Sequence, residues 1–215
     1  HNFAVFMVKT SKMKKGIALL SGGIDSPVAI HLLKEKLEII AVHFHQVELT
    51  GEQEIEKVKS LSKLLGIKKL YLVPFVSVFK ELVEKCNHRD YYILSKIAMF
   101  QAAQEIAKKE GADFLITGEN LAQVSSQTLI NMKSITSQLD LTILRPLLTF
   151  DKQEIVDLGR EIETYEISKG PEVCSLLGPS NPSTKSTIEK IEKELSKINL
   201  KESISSALAL AQVNL

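Results

Sequence analysis

Short apolar runs recur along the chain, with helical patterns between them. Residues 16–20, 37–44, 69–73, 113–117 and 141–144 are rich in Ile, Leu and Val, as strands buried on both faces of a parallel sheet should be. Between the second and third runs, Ile55, Val58, Leu61 and Leu65 keep helical spacing, which predicts an amphipathic helix over 52–65, stopped by Gly66. Between the third and fourth, Ile93, Ile97, Phe100 and Ala103 to Ile106 trace another helix, ending near Gly111. Strand–helix alternation of this kind predicts an α/β fold. Its core is a doubly wound, parallel, five-stranded sheet with right-handed crossovers and helices on both faces. Ligands in such sheets sit at the carboxyl ends of the strands, near the point where strand order reverses.

From about Asp151 the pattern changes. Residues 151–162 read as a helix, with Asp151 as N-cap and Glu154 completing a capping box. Residues 163–185 hold several prolines, glycines and serines and no period, so they read as a long loop. Residues 187–199 and 203–213 read as short helices. This divides the chain into an N-terminal arm or tag remnant (1–14), a main domain (15–184) and a C-terminal helical tail (185–215).

Composition narrows the class. Of 215 residues, 44% are hydrophobic and 25% charged, as in an ordinary globular protein, with length for one sizeable core. The net charge is +1, so a nucleic-acid site has to be a local patch. The lysines between Lys9 and Lys15 are either such a patch or solvated surface. Two cysteines, Cys86 and Cys174, make no disulfide framework. With no evident signal peptide and no apolar run of membrane-spanning length, a cytoplasmic, membrane-free location is expected. His43, His45 and His88 lack metal-ligand spacing with the cysteines, so no zinc site is expected.

The chemistry centres on Ser21-Gly22-Gly23-Ile24-Asp25-Ser26, directly behind Ile17-Ala18-Leu19-Leu20 and followed by Pro27. Adjacent glycines let the backbone bend and approach a ligand without Cβ clashes. The helix that follows points free N–H groups and its positive end at the same spot, a place for a phosphate. No Gly-Lys-Ser/Thr follows, so this is not a Walker loop, and the third glycine of the dinucleotide fingerprint is missing. The alternative is a Gly-Gly turn with no ligand. Asp25 suits a Mg²⁺ ion that bridges phosphates, or the N-cap of the helix. A second polar segment, Thr117-Gly118-Glu119-Asn120-Leu121-Ala122-Gln123-Val124-Ser125-Ser126-Gln127-Thr128, also extends a predicted strand into the ligand crevice. Cys174 lies in a Pro- and Gly-containing loop with Lys169 nearby, which favours thiolate; a buried, inert cysteine is the alternative. Cys86, near Leu82 and Val83 on a helical face, reads as structural.

The run Ser-Gly-Gly-x-Asp-Ser is that of the PP-loop ATP pyrophosphatases. The chain resembles, more narrowly, the PP-loop domain of the tRNA 4-thiouridine sulfurtransferases, the ThiI family. Ser21 to Ala29 agree with the family loop throughout. Thr117 to Thr128 agree except that Ala122 replaces a glycine. Arg145-Pro146-Leu147, Asp151-Lys152, Thr164 to Ser168, Pro171, Cys174, Pro179 and Pro182 follow in the family's order. The resemblance implies that ATP adenylates O4 of a uridine in tRNA with release of pyrophosphate. A persulfide sulfur, carried by Cys174, then displaces AMP to leave 4-thiouridine.

The resemblance also implies ATP and Mg²⁺ as cofactors. ATP contacts are implied at Leu20, Ser21, Gly22, Gly23, Ile24, Asp25, Ser26, Val42, His43, Phe44, Lys96, Gly118 and Gln127. The main chain of residues 42–44 is the adenine contact, although Phe44 equally suits the core. Lys96 equally suits an exposed surface. Substrate contacts are implied at Glu119, Gln123, Ser126 and Arg145, with the metal on Asp25. Implied partners are tRNA, a cysteine desulfurase or another sulfur donor, and a second copy of the chain.

There are departures from the family. Members carry an N-terminal tRNA-binding region for which there is no room before Ser21, so the RNA is expected through a missing domain or a partner chain. Some archaeal members have Cys-x-x-Cys where this chain has Tyr92 and Ser95, so no iron–sulfur cluster is expected. Glu163 replaces a family glycine. Two other readings are adenylation of a small-molecule acceptor and a non-catalytic ATP-binding subunit.

Overall fold

The computed structural model describes residues 13–121, 123–170 and 176–214. Its centre is a sheet in the order β5-β4-β1-β2-β3-β6. The strands are β1 (Lys15–Leu19), β2 (Glu38–His45), β3 (Leu70–Pro74), β4 (Phe114–Ile116), β5 (Thr142–Leu144) and β6 (Gln212–Asn214). β1 to β5 pair in parallel, as their apolar runs predict. The sixth strand corrects the five-stranded expectation. It runs antiparallel along β3, with Leu70 opposite Asn214 and Leu72 opposite Gln212. Residues 203–213 therefore do not end as a helix. A three-residue edge strand is too short to show a period, and its partner's backbone specifies it.

Side chains alternate between the two faces of the sheet, and the helices follow. Ile17, Ile40, Val42, Tyr71 and Val73 point to one side, against α4 (Val76–Lys85), α5 (Tyr91–Glu110), α6 (Leu129–Thr136), α9 (Ile188–Leu195) and α10 (Leu200–Ala209). Ala18, Leu20, Ile39, Ala41, Leu70 and Leu72 point to the other, against α1 (Asp25–Leu33) and α3 (Gln53–Leu64). Two further helices, α7 (Lys152–Glu161) and α8 (Tyr165–Ser168), continue that layer, and a one-turn helix, α2 (Val47–Thr50), follows β2. α7 packs on α1 through Val28, Ala29 and Ile155. Residues 185–215 do not trail away from this body: Ile191, Leu200, Ile204 and Ala207 belong to its larger core.

Local signals explain several boundaries. Gly111 ends α5 in the left-handed conformation, at φ 63°, where a Cβ is penalised. Asp151 and Glu154 form the reciprocal capping box of α7. Within the expected 163–185 loop, residues 165–168 form the single turn α8. Among the described residues, no helix is long and apolar enough to cross a membrane.

Candidate active site

Strand order reverses between β1 and β4, so the loops leaving those two strands face each other across a crevice. Loop 21–26 leaves β1 and closes on itself. Ser21 N donates to Ser26 Oγ at 2.9 Å, the two serine hydroxyls lie 3.0 Å apart, and Gly23 N donates to Ser21 Oγ at 3.2 Å. The β4 segment packs directly on this loop. A Cβ at Gly118 would stand 2.7 Å from the Asp25 carbonyl carbon and the Ser26 nitrogen, so only glycine permits the approach.

Asp25 occupies the first turn of α1, whose N-cap is Ile24 with no side-chain capping bond. Its Oδ1 instead accepts from Lys152 Nζ at 2.8 Å, across from the start of α7. The N-cap alternative for Asp25 is thereby set aside. Among the described residues, no group of three His, Cys, Asp or Glu side chains could enclose a metal. Mg²⁺ fits this donor set in another way, through one carboxylate together with phosphate oxygens.

Behind the loop, Glu119 is only 4% exposed and is held between two cations. Lys96 Nζ donates to Oε1 at 2.7 Å and Arg145 Nε donates to Oε2 at 2.8 Å. Burial pushes the Glu119 carboxyl upward, but Lys96 and Arg145 together outweigh it and hold the group below its ordinary value. Glu119 is therefore a fixed anion and not a proton acceptor. Both of its oxygens are engaged by cations, so it orients Lys96 and Arg145 first of all. Arg145 Nη2 also donates to Thr136 Oγ1 at 3.0 Å. Asn120 ties the same segment to the chain after β5, donating to the Leu147 carbonyl at 2.9 Å and to the Phe150 carbonyl.

His43 is buried at the end of β2. Its Nδ1 donates to the Leu20 carbonyl at 2.9 Å, and burial lowers its pKa to about 4, so the ring is neutral near pH 7. Neutrality also means that its 4.0 Å approach to Glu54 Oε1 is no ion pair. Leu20 N donates to the Val42 carbonyl at 2.9 Å, which spends that acceptor within the sheet. The Phe44 ring packs on Phe75, with centroids 4.7 Å apart. That contact supports the core role for its side chain.

Ser126 and Gln127 lie buried in the 3-10 turn Ser125–Gln127, held by Asn131 Nδ2 donating to the Ser125 carbonyl at 2.7 Å. Among the described residues, His43 Nε2, Gln123 Nε2 and Gln127 Oε1 are buried without a hydrogen-bond partner. Buried orphans of this kind are costly unless a ligand satisfies them. Cys174, Pro171 and Ala122 lie outside the described residues. Two lysines at the site escaped sequence reasoning. Lys152 was visible only as part of a matched Asp-Lys pair. Lys57 of α3, whose Cδ lies 2.9 Å from where a Gly22 Cβ would stand, was indistinguishable from any solvated helix lysine.

A doubly wound sheet with a Ser-Gly-Gly-Ile-Asp-Ser loop at its switch point is the architecture of the PP-loop ATP pyrophosphatases. The chain belongs to the ThiI family, whose model, described as "Thiamine biosynthesis protein (ThiI)", matches residues 11–200. It is 40% identical over 206 residues to a "Probable tRNA sulfurtransferase" of Alkaliphilus oremlandii, covering 93% of this chain and 53% of that one. A protein of the same name from Coxiella burnetii is 42% identical over 202 residues, 90% of this chain and 51% of that one. The chain thus spans about half the length of these relatives. Among solved structures, a 4-thiouridine synthetase–RNA complex with bound ATP matches with TM-score 0.86 at 36% identity, over 94% of this chain and 55% of that one. An NH3-dependent NAD synthetase from Campylobacter jejuni, with TM-score 0.56 at 15% identity over 91% of this chain and 89% of that one, shares the fold.

Proposed function

We propose that this chain is the catalytic domain of an ATP-dependent tRNA sulfurtransferase that makes 4-thiouridine. The N–H groups of loop 21–26 and the N-terminus of α1 hold the β- and γ-phosphates. Asp25, oriented by Lys152, is the residue that would hold Mg²⁺, which when bound neutralises phosphate charge. The main chain at residues 42–44, apart from the Val42 carbonyl that Leu20 occupies, takes the adenine, and Gln127 Oε1 offers an acceptor that lacks a donor among the described residues. Lys96 and Arg145, pre-set by Glu119, offset the charge that develops at the α-phosphate and its leaving group.

Uridine O4 attacks the α-phosphorus. The bond to the bridging oxygen breaks, and its electron pair leaves with pyrophosphate. A persulfide sulfur on Cys174, loaded by a cysteine desulfurase or another sulfur donor, then attacks C4 and expels AMP. A second thiol then attacks Cys174 Sγ; the S–S bond breaks with its electron pair on the sulfur bonded to C4, and the disulfide formed between Cys174 and that thiol is reduced by an external dithiol. The relatives are about twice the length of this chain, and much of the tRNA contact falls to regions of that kind or to a partner.

The observation that carries this reading is the close packing of Gly118 against Asp25 and Ser26. It joins the phosphate loop to the Glu119 triad in a chain that matches an ATP-bound 4-thiouridine synthetase along nearly its whole length. The test is pyrophosphate release from ATP with and without bulk tRNA, alongside assay of 4-thiouridine. RNA-dependent release supports the proposal. RNA-independent turnover points to a small-molecule acceptor, and tight ATP binding without pyrophosphate or AMP points to a nucleotide-binding scaffold.

A further inference from the structure

Lys57 lies across the phosphate loop. A Cβ on Gly22 would stand 2.9 Å from its Cδ and 3.8 Å from its Cγ, so the bare face of that glycine is the groove in which the lysine stem rests. From there the ammonium reaches the chain after α8. Nζ donates to the Ser168 carbonyl at 3.4 Å and stands 3.8 Å from where a Gly170 Cβ would be. Glu54, one turn earlier on α3, flanks the same glycine, its Cγ 3.9 Å from the same point.

The cations around the loop are unequally engaged. Lys152 is paired with Asp25, and Lys96 and Arg145 share Glu119. Among the described residues, Lys57 has no carboxylate partner within 4 Å, only a long bond to a neutral carbonyl. A half-buried ammonium with such a weak partner retains most of its capacity for an anion, and lysine binds phosphate well as a mobile point charge. Its stem rests against Gly22 of the loop, and Nζ is two bonds beyond the contacting Cδ, free to turn about the Cγ–Cδ and Cδ–Cε bonds.

We propose that Lys57 is a ligand of the β- and γ-phosphates of ATP and of the departing pyrophosphate. This rests on the reading of loop 21–26 as an ATP site. When the α-phosphorus is attacked and its bond to the bridging oxygen breaks, the electron pair stays on pyrophosphate. The Lys57 ammonium offsets that charge without giving up a proton. Its move to the phosphates also removes the donor from the Ser168 carbonyl.

The test is calorimetric titration of ATP, AMP and inorganic pyrophosphate into the wild type, Lys57→Met and Lys57→Arg. Methionine keeps an unbranched stem on Gly22 and removes the charge. The Met variant is expected to lose about ten- to hundredfold in affinity for ATP and pyrophosphate, as befits a charge-assisted contact, with AMP within about twofold of wild type. Arginine is expected to restore part of the loss. Equal weakening of all three ligands, or none, overturns the proposal. A second measurement needs no variant: in the wild type, ATP and pyrophosphate should protect Lys57 from acetylation, read by mass spectrometry, whereas AMP should not. Absence of that protection while ATP binds overturns the proposal alone. Wild-type protein that takes neither ATP nor pyrophosphate overturns the functional reading together with it.

Discussion

Gly118 and Ser26 stand backbone to backbone: a Cβ on Gly118 would lie 2.7 Å from the Ser26 nitrogen and 2.9 Å from its Cα. The obstructing atoms are main chain at the start of α1, and they cannot rotate away. Gly118→Ala should therefore push the β4 segment and the phosphate loop apart. The expected cost is about 1–3 kcal/mol of stability, as for other overpacked sites, with a larger proportional loss of ATP affinity. Urea denaturation and nucleotide titration on the same variant check both.

Lys152 and Asp25 make a different prediction, because their pair is open to water. Their side chains are 56% and 26% exposed, and ion pairs of that kind contribute about 0–1 kcal/mol. Lys152→Ala should leave the urea midpoint nearly unchanged. On the proposed role of Asp25 beside the phosphates, it should lower ATP-dependent pyrophosphate release by about tenfold or more, since Asp25 loses its orienting partner. A stability loss that accounts for the activity loss would count against this role.

Much of this architecture was legible in the chain. The five parallel strands announced themselves because a strand buried on both faces has to be apolar throughout, and Asp151 with Glu154 wrote their capping box in the sequence. The loop and its partner segment were legible because glycine at positions 22 and 118 has a steric reason. What stayed hidden depended on partners far away in sequence. β6 exists through β3, and Asp25 chose between capping and pairing only when α7 brought Lys152 to it. Lys57 looks like any polar position of an amphipathic helix until Gly22 lies beneath it. The amide oxygen of Gln127, unpartnered among the described residues, likewise carries no local signal.

Acid should probe Glu119 and His43 in separate windows. The folded-state pKa of Glu119 lies below its ordinary 4.5. Its contribution is therefore complete above the unfolded value and is lost as pH falls through the folded one. His43 titrates at about 4 when folded and 6.5 when unfolded. The unfolded chain thus binds the extra proton first, and stability declines as pH drops from 6.5 toward 4. Glu119→Gln should keep the upper decline and flatten the one below about pH 4.5. At neutral pH it should cost about 3 kcal/mol, because Lys96 and Arg145 lose their buried counter-charge. Urea midpoints measured across pH 3–8 for both proteins decide this.

Glu163 is the one non-glycine residue with positive φ among those described, at 61°. It sits where the chain turns out of α7, its N–H donating to the Arg160 carbonyl at 3.1 Å. Holding an L-residue there costs about 1–2 kcal/mol, while glycine gives back about 0.5–1 kcal/mol through its greater freedom when unfolded. The steric term is the larger, so Glu163→Gly should stabilise the protein by about 0.5–1 kcal/mol and raise Tm by about 1–4 °C for a chain of this size. Glu163→Val, whose branched side chain tolerates this region least, should lower it. Thermal unfolding of the two variants side by side is the measurement, and the opposite order would mean that the Glu163 side chain contributes more than its backbone costs.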